Sequence, residues 1–194
     1  NAPWASQKAV FAGPTPTGST LYNVTIADQV RASGLDFQTG GYSLFGSQIT
    51  LSPGAIVSAV ETTRAQTITL QTTIIGEGDL VKTGKGAVRL LGYTGLQPAN
   101  RIAGTIDIRE GSLEVSGGET SSTGGLIASR TGEVAGATVW GGGSWALGAA
   151  DLVVGGAGRG ALSVTGSEVS TSGKITAGRV ILGRDTGGFG TLTV

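Results

Sequence analysis

A spacing constrains this sequence more than any single residue does. Short runs alternate apolar and polar residues along it, among them "QITL" (48–51), "TITL" (67–70), "AVRL" (87–90), "TIDI" (105–108), "SLEV" (112–115), "ALSV" (161–164) and "TLTV" (191–194). Each run places two side chains on one face of a strand and two on the other. The apolar pairs Ile49/Leu51, Ile68/Leu70, Val88/Leu90, Ile106/Ile108 and Leu126/Ala128 recur at a nearly constant interval, and Leu152/Val154 and Val180/Leu182 follow after longer steps. A period of about 20 residues that tolerates insertions marks a solenoid, in which each coil brings the chain back to the same place one strand spacing higher. The expected fold is all-β: a parallel β-helix of three-strand coils of about 20 residues, longer toward the C-terminus. The aliphatic column would run from Ile49 through Ile68, Val88, Ile106, Leu126 and Leu152 to Val180. Residues 1–194 read as one such segment, with 1–33 a first, irregular coil. A closed antiparallel barrel or sandwich competes, because turn signals also recur every ~8–12 residues; the periodic column favours the solenoid.

Glycine explains how such a coil turns. There are 36 glycines in 194 residues, well above the usual ~7%, and many flank the strand runs, where tight corners need positive φ. They also interrupt nearly every window in which a helix could form. Thirteen basic residues balance thirteen acidic ones, so there is no strong positive field for nucleic acid or anionic lipid. No apolar run is long enough for a membrane helix and no signal-peptide pattern opens the chain. Cysteine and histidine are both absent. That removes disulfides, thiolate nucleophiles, zinc–thiolate sites and the usual proton shuttle near neutral pH. A cysteine-free chain also suits export in an unfolded state.

The stretch "GEGDLVKTGKGAVRLLGYTG" (76–95), followed by "GTIDIREGSLEVSG" (104–117), resembles the autotransporter-associated β-strand repeat. Gly76, Gly78, Leu80, Lys82, Thr83, Gly84, Gly86, Leu90, Gly92, Gly111, Leu113 and Val115 fall on its pattern, while Val88 stands for a usual leucine. "GLDFQTGGYSLFGSQITL" (34–51) is similar to the segment that precedes such repeats. "ATVWGGGSWALGAADLVVGGAGRGALSV" (137–164) and "RVILGRDTGGFGTLTV" (179–194) resemble a related repeat of large bacterial surface proteins. The resemblance implies a right-handed parallel β-helix, a fragment of a longer autotransporter passenger. Such a passenger is exported and displayed on the Gram-negative outer membrane or secreted. The pattern departs at "YTGLQPANRIAG" (93–104), where a protruding loop would present Gln97, Asn100 and Arg101 to a partner.

Chemistry finds little purchase. "TGKGAV" (83–88) lacks the Gly-Lys-Ser/Thr of a phosphate loop, and "GGAGRG" (155–160) lacks the aspartate of a calcium-binding nonapeptide. No catalytic, cofactor or metal residue is assigned. Arg89 and Asp107 are expected to face outward on neighbouring coils and to pair there, and Trp140 and Trp145 to cover a glycine-thinned patch. The outward column is expected to change from Thr50, Thr69, Arg89 and Asp107 to Ile127, Val153 and Ile181. Exposed, those last three would form an apolar contact ladder; alternatively, the longer coils fold over this face. The expected role is an adhesin or virulence-associated binding rod. Its partner would be a host surface or matrix protein, a glycan, or the same protein on a neighbouring cell. An inert stalk and a glycan-cleaving β-helix enzyme are the alternatives.

Overall fold

The structure is a computed structural model that describes residues 7–14, 21–60, 66–91, 99–166 and 172–194. Every strand pairing in it is parallel, and the strands form one 13-stranded and one 8-stranded sheet. The chain visits three stacks in rotation. From strand Tyr42–Gly46 it enters Ile49–Ala59, then Ile68–Leu70, Ile74–Gly76, Leu80–Thr83 and Ala87–Leu91, and the cycle continues to Phe189–Thr193. From Ile68–Leu70 onward each strand pairs with the strand three places on, one coil further along the axis. This is a parallel β-helix with three faces. Ile49–Ala59 bends through Pro53 and Gly54, so one strand serves the first face with its first half and the second face with its other half.

Inward side chains stack like on like. On the third face Leu44, Leu70, Leu90, Val115, Val139 and Val164 form one column, and Ile68, Val88, Leu113, Ala137, Leu162 and Leu192 form the other. On the second face Val57, Lys82, Ile108, Ile127, Val154 and Leu182 are successive partners. The first face is more polar inside: Asn100, Thr120, Trp145 and Ile175 succeed one another. Burying an aliphatic side chain in such a column is worth about 1.5–3 kcal/mol, and each polar member needs an internal partner. Asn100 has them, since its Oδ1 accepts from the Ile74 amide at 2.9 Å and its Nδ2 donates to Thr120 Oγ1 at 3.3 Å.

The column differs from the expected one. Ile68 and Val88 are indeed parallel partners, but Ile49 lies on the first face and Ile106 on the second. Most coils are also longer than expected. The step from Leu70 to Leu90 is the short one, whereas those from Leu44 to Leu70, Leu90 to Val115 and Val115 to Val139 each take several residues more. With three alternating runs in every coil, a step such as Ile49 to Ile68 or Val88 to Ile106 lands on a different face rather than one coil along the same face. A second correction is a slip of one residue. Between Ile106 and Leu152 stands Gly125, and Ile127 stacks between Ile108 and Val154. Leu126 therefore faces out and Ile127 faces in, because adjacent strand residues point oppositely.

The described part of 1–33 carries parallel strands, with a register shift between Ala32 and Gly34. Tyr22–Ile26 pairs with Tyr42–Gly46, the strand Val30–Phe37 pairs with Ile49–Ala59, and Lys8–Phe11 lies in parallel register on residues 34–37. Phe11 stacks on Phe37 with centroids 4.5 Å apart, and Tyr42 meets both rings edge-on or tilted. Tyr42 and Tyr22 donate their hydroxyls to the carbonyls of Ala12 and Pro14. This aromatic layer is part of the buried core of the first coils.

Two glycines shape the corner between the second and third faces. Gly84 has φ +75° and Gly111 φ +68°, and a Cβ on Gly84 would stand 2.1 Å from the Ala59 carbonyl oxygen. Only glycine lets consecutive corners stack this closely.

Candidate functional site

Among the described residues, the third face carries a groove of the outer wall large enough to hold an extended ligand. Its outward rows follow from the register. The row nearest the second-face corner reads Glu110, Val134, Arg159 and Phe189, with Lys85 one coil before Glu110. The next row is small: Ala87, Ser112, Gly136, Ala161 and Thr191. The third row reads Arg89, Glu114, Thr138, Ser163 and Thr193. Large side chains flank the small row on both sides at Lys85/Arg89 and Glu110/Glu114; beyond them the third row drops to Thr138, Ser163 and Thr193, so the trough along the helix axis keeps only the corner-side wall of Val134, Arg159 and Phe189 there. At the corner it opens into a groove of about 720 Å³ whose rim carries Lys85, Arg109, Glu110 and Glu133, and whose floor includes Ala135, Gly136 and Ala161.

Contacts across coils and within them hold the walls. Arg89 pairs with Glu114 at 2.7 Å and lies over the Trp140 ring at 5.0 Å. Arg159 lies over the Phe189 ring at 5.8 Å. Glu133 Oε2 accepts from the Arg130 amide at 3.0 Å. Arg109 Nε donates to Asp107 Oδ2 at 2.8 Å. Among the described residues, no ion pair takes the side chain of Lys85 or Glu110. Lys85 is thus left for an incoming polar group, and Glu110 stands beside it while its charge also acts on Lys82.

Beneath the groove lies Lys82, on the inward column of the second face and 1% exposed. Its Nζ donates to the carbonyls of Thr83 at 2.8 Å, Gly84 at 2.7 Å and Glu110 at 3.1 Å. One ammonium thus ties the corners of two successive coils. Burial pushes its pKa down to about 8, with the Glu110 carboxylate opposing the shift. This explains the lysine of the "VKTG" run: it satisfies corner carbonyls inside the helix, which no aliphatic residue could do.

The expected contact residues are scattered. Ile127 is fully buried in the interior and Asn100 is 1% exposed, bonded as described above; neither reaches the surface. The outward column of the second face contains Asp107, Leu126, Val153 and Ile181. Val153 does face outward, yet it is 3% exposed, flanked by half-buried Leu126 and Ile181. The apolar ladder therefore exists with Leu126 in place of Ile127, but offers little open surface. Arg101 is exposed on the first face between Ile75 and Ser121. Gln97 lies outside the described residues.

Arg89 and Asp107 do not meet. Arg89 stands on the third face with Glu114, and Asp107 on the second face with Arg109. The two tryptophans also part: Trp140 is half-buried on the outer wall, while Trp145 is fully buried and donates its Nε1 to Ser122 Oγ at 2.9 Å. The trough is not visible in the sequence, because its floor appears only once the register sets Ser112, Gly136 and Ala161 in one row.

Comparisons of the chain with protein-family models, curated proteins and solved structures found no significant match.

Proposed function

We propose that this chain is a binding rod working on the outside of a Gram-negative bacterium, attaching to a host surface or matrix component or to a copy of itself on a neighbouring cell. The observation that carries the reading is the groove of about 720 Å³ at the corner of the second and third faces, rimmed by Lys85, Arg109, Glu110 and Glu133. A β-helix suits such work. Its backbone bonds run along the axis from coil to coil, so outer side chains vary without disturbing the ladder. Repeated rows at ~4.8 Å spacing offer one contact many times over. The resemblance to autotransporter-associated repeats supports export and display, and the absence of cysteine agrees with passage in an unfolded state.

Beads coated with the purified chain test the reading. The expected result is attachment to host cells, to immobilised matrix proteins or glycans, or clumping of the beads themselves. Failure in all of these, with the chain folded, removes it.

A further inference from the structure

We propose that the third-face trough takes a linear, neutral, hydroxyl-rich glycan laid parallel to the helix axis. This deepens the binding-rod reading and rests on it. The first argument is shape. The small row runs over the coils of Ala87, Ser112, Gly136, Ala161 and Thr191, and Gly136 and Ala161 of that row line the groove at the corner. Successive floor residues are ~4.8 Å apart, so an elongated ligand fits and a compact one wastes most of the site.

Gly136 supplies a second argument. It sits within strand Val134–Trp140, its φ is not among the positive ones, and a Cβ there would meet only the Ala161 carbonyl oxygen at 3.6 Å. The corner glycines are required by their backbones; this one is not. A glycine inside a strand gives up stability, and it commonly marks a place where something approaches the backbone closely. The floor at this point is bare peptide, flanked by Ser112 and Ala161.

Chemistry separates a glycan from a peptide. The backbone N–H and C=O groups of this face are spent on neighbouring coils, so an extended peptide lying on it cannot be added as a strand. Its amides would depend on the few rim side chains, and each N–H or C=O can use only one kind of partner. Sugar hydroxyls both donate and accept, and the walls offer both functions. Glu110 and Glu133 accept; Lys85 and Arg109 donate. Vicinal hydroxyls match a carboxylate with two acceptor oxygens. The apolar face of a sugar ring finds Val134, 62% exposed, and the methyl groups of the floor. Within the corner groove two cations stand against two carboxylates, which favours a neutral chain over an acidic one there, while Arg159 further along is engaged by the Phe189 ring.

The test titrates cellohexaose, maltohexaose, mannohexaose and chitohexaose into the full chain, with a galacturonate hexamer as the acidic probe, followed by calorimetry and amide NMR. The expected result is saturable binding of at least one neutral hexamer, with shifts centred on Ser112, Gly136 and Ala161. Its disaccharide should bind about tenfold more weakly or worse, having lost contacts along the floor. Gly136→Val should weaken binding by about tenfold or more while the melting temperature holds or rises, since a β-branched residue fits the strand. Ala161→Leu, on an exposed part of the same floor, should repeat the loss and guards against a folding defect in the first variant. The proposal falls if no neutral hexamer binds, if the acidic hexamer binds best, or if both variants keep full affinity. Beads that still attach to cells or matrix proteins while no hexamer binds would sink the glycan and leave the rod. Beads that attach to nothing would sink both.

Discussion

Trp145 fills the space that Gly125 leaves: a Cβ on Gly125 would stand 3.1 Å from the Trp145 Cζ2 atom. The two residues lie on different faces and touch across the lumen. The same Cβ would stand 2.5 Å from Leu152 Cδ1 and 3.1 Å from Leu147 Cδ2. Gly125→Val is expected to cost about 1–3 kcal/mol by overpacking, and Trp145→Ala about 3–5 kcal/mol by opening a cavity. The double variant should lose less than the sum, because each change relieves the other. Urea unfolding of the four proteins measures the coupling; strict additivity would show that the two side chains do not share the lumen.

The one-residue slip on the second face has a simple assay. Leu126 points outward and Ile127 is fully buried. Leu126→Lys should cost about 1 kcal/mol or less, since its long stem can lie along the surface. Ile127→Lys should cost above about 4 kcal/mol or prevent folding, because a lone charge enters the lumen. Circular dichroism melts of the two variants decide it, and the reverse order would restore the alternative register.

Lys82 gives stability a defined pH dependence. Its folded pKa is about 8, against an ordinary 10.5. Below pH 8 both states are protonated and the burial cost is felt in full. Between the two values the unfolded chain holds a proton that the folded chain has released, so this group makes stability rise with pH. The gain is on the order of 3 kcal/mol at most. Burial raises the Tyr42 pKa above its ordinary value, with Tyr22 adding to it, and that effect works the other way once pH passes about 10. The expected observation is a rise in unfolding free energy from pH 7.5 to 9.5 relative to Lys82→Met, which lacks the titrating group. At pH 7 the same variant should also be less stable, by about 1–3 kcal/mol for each carbonyl left unpaired. Parallel curves for the two proteins across that window would refute the assignment.

Asn100 and its neighbour Arg101 should behave oppositely. Asn100→Ala strands the Ile74 amide in the interior and is expected to cost about 1–3 kcal/mol. Arg101→Ala removes an exposed side chain and should change stability by about 0.5 kcal/mol or less. Chemical denaturation of both variants provides the comparison.

The solenoid was legible because period-2 alternation and glycine placement are local properties. "AVRL" and "SLEV" read as half-buried strands wherever they stand, and they do form Ala87–Leu91 and Glu110–Ser116. The pairing of Arg89 with Glu114 was not legible, since it needs the register between those two strands. Neither was the inward turn of Trp145, whose flanking glycines suit a surface patch as well as a lumen. The trough suffered the same ambiguity. Ser112, Gly136 and Ala161 are ordinary one by one and become a floor only when stacked.

By itself, then, the sequence determined that the chain forms short parallel strands turned at glycine corners and wound into coils. Which strand lies over which, and so which residues share a wall, was decided by the tertiary structure. The reason is physical. Alternation repeats three times in every coil, so many offsets satisfy it equally well. Only the packing of one coil on the next distinguishes them, through the corner carbonyls bound by Lys82 and the lumen shared by Gly125 and Trp145.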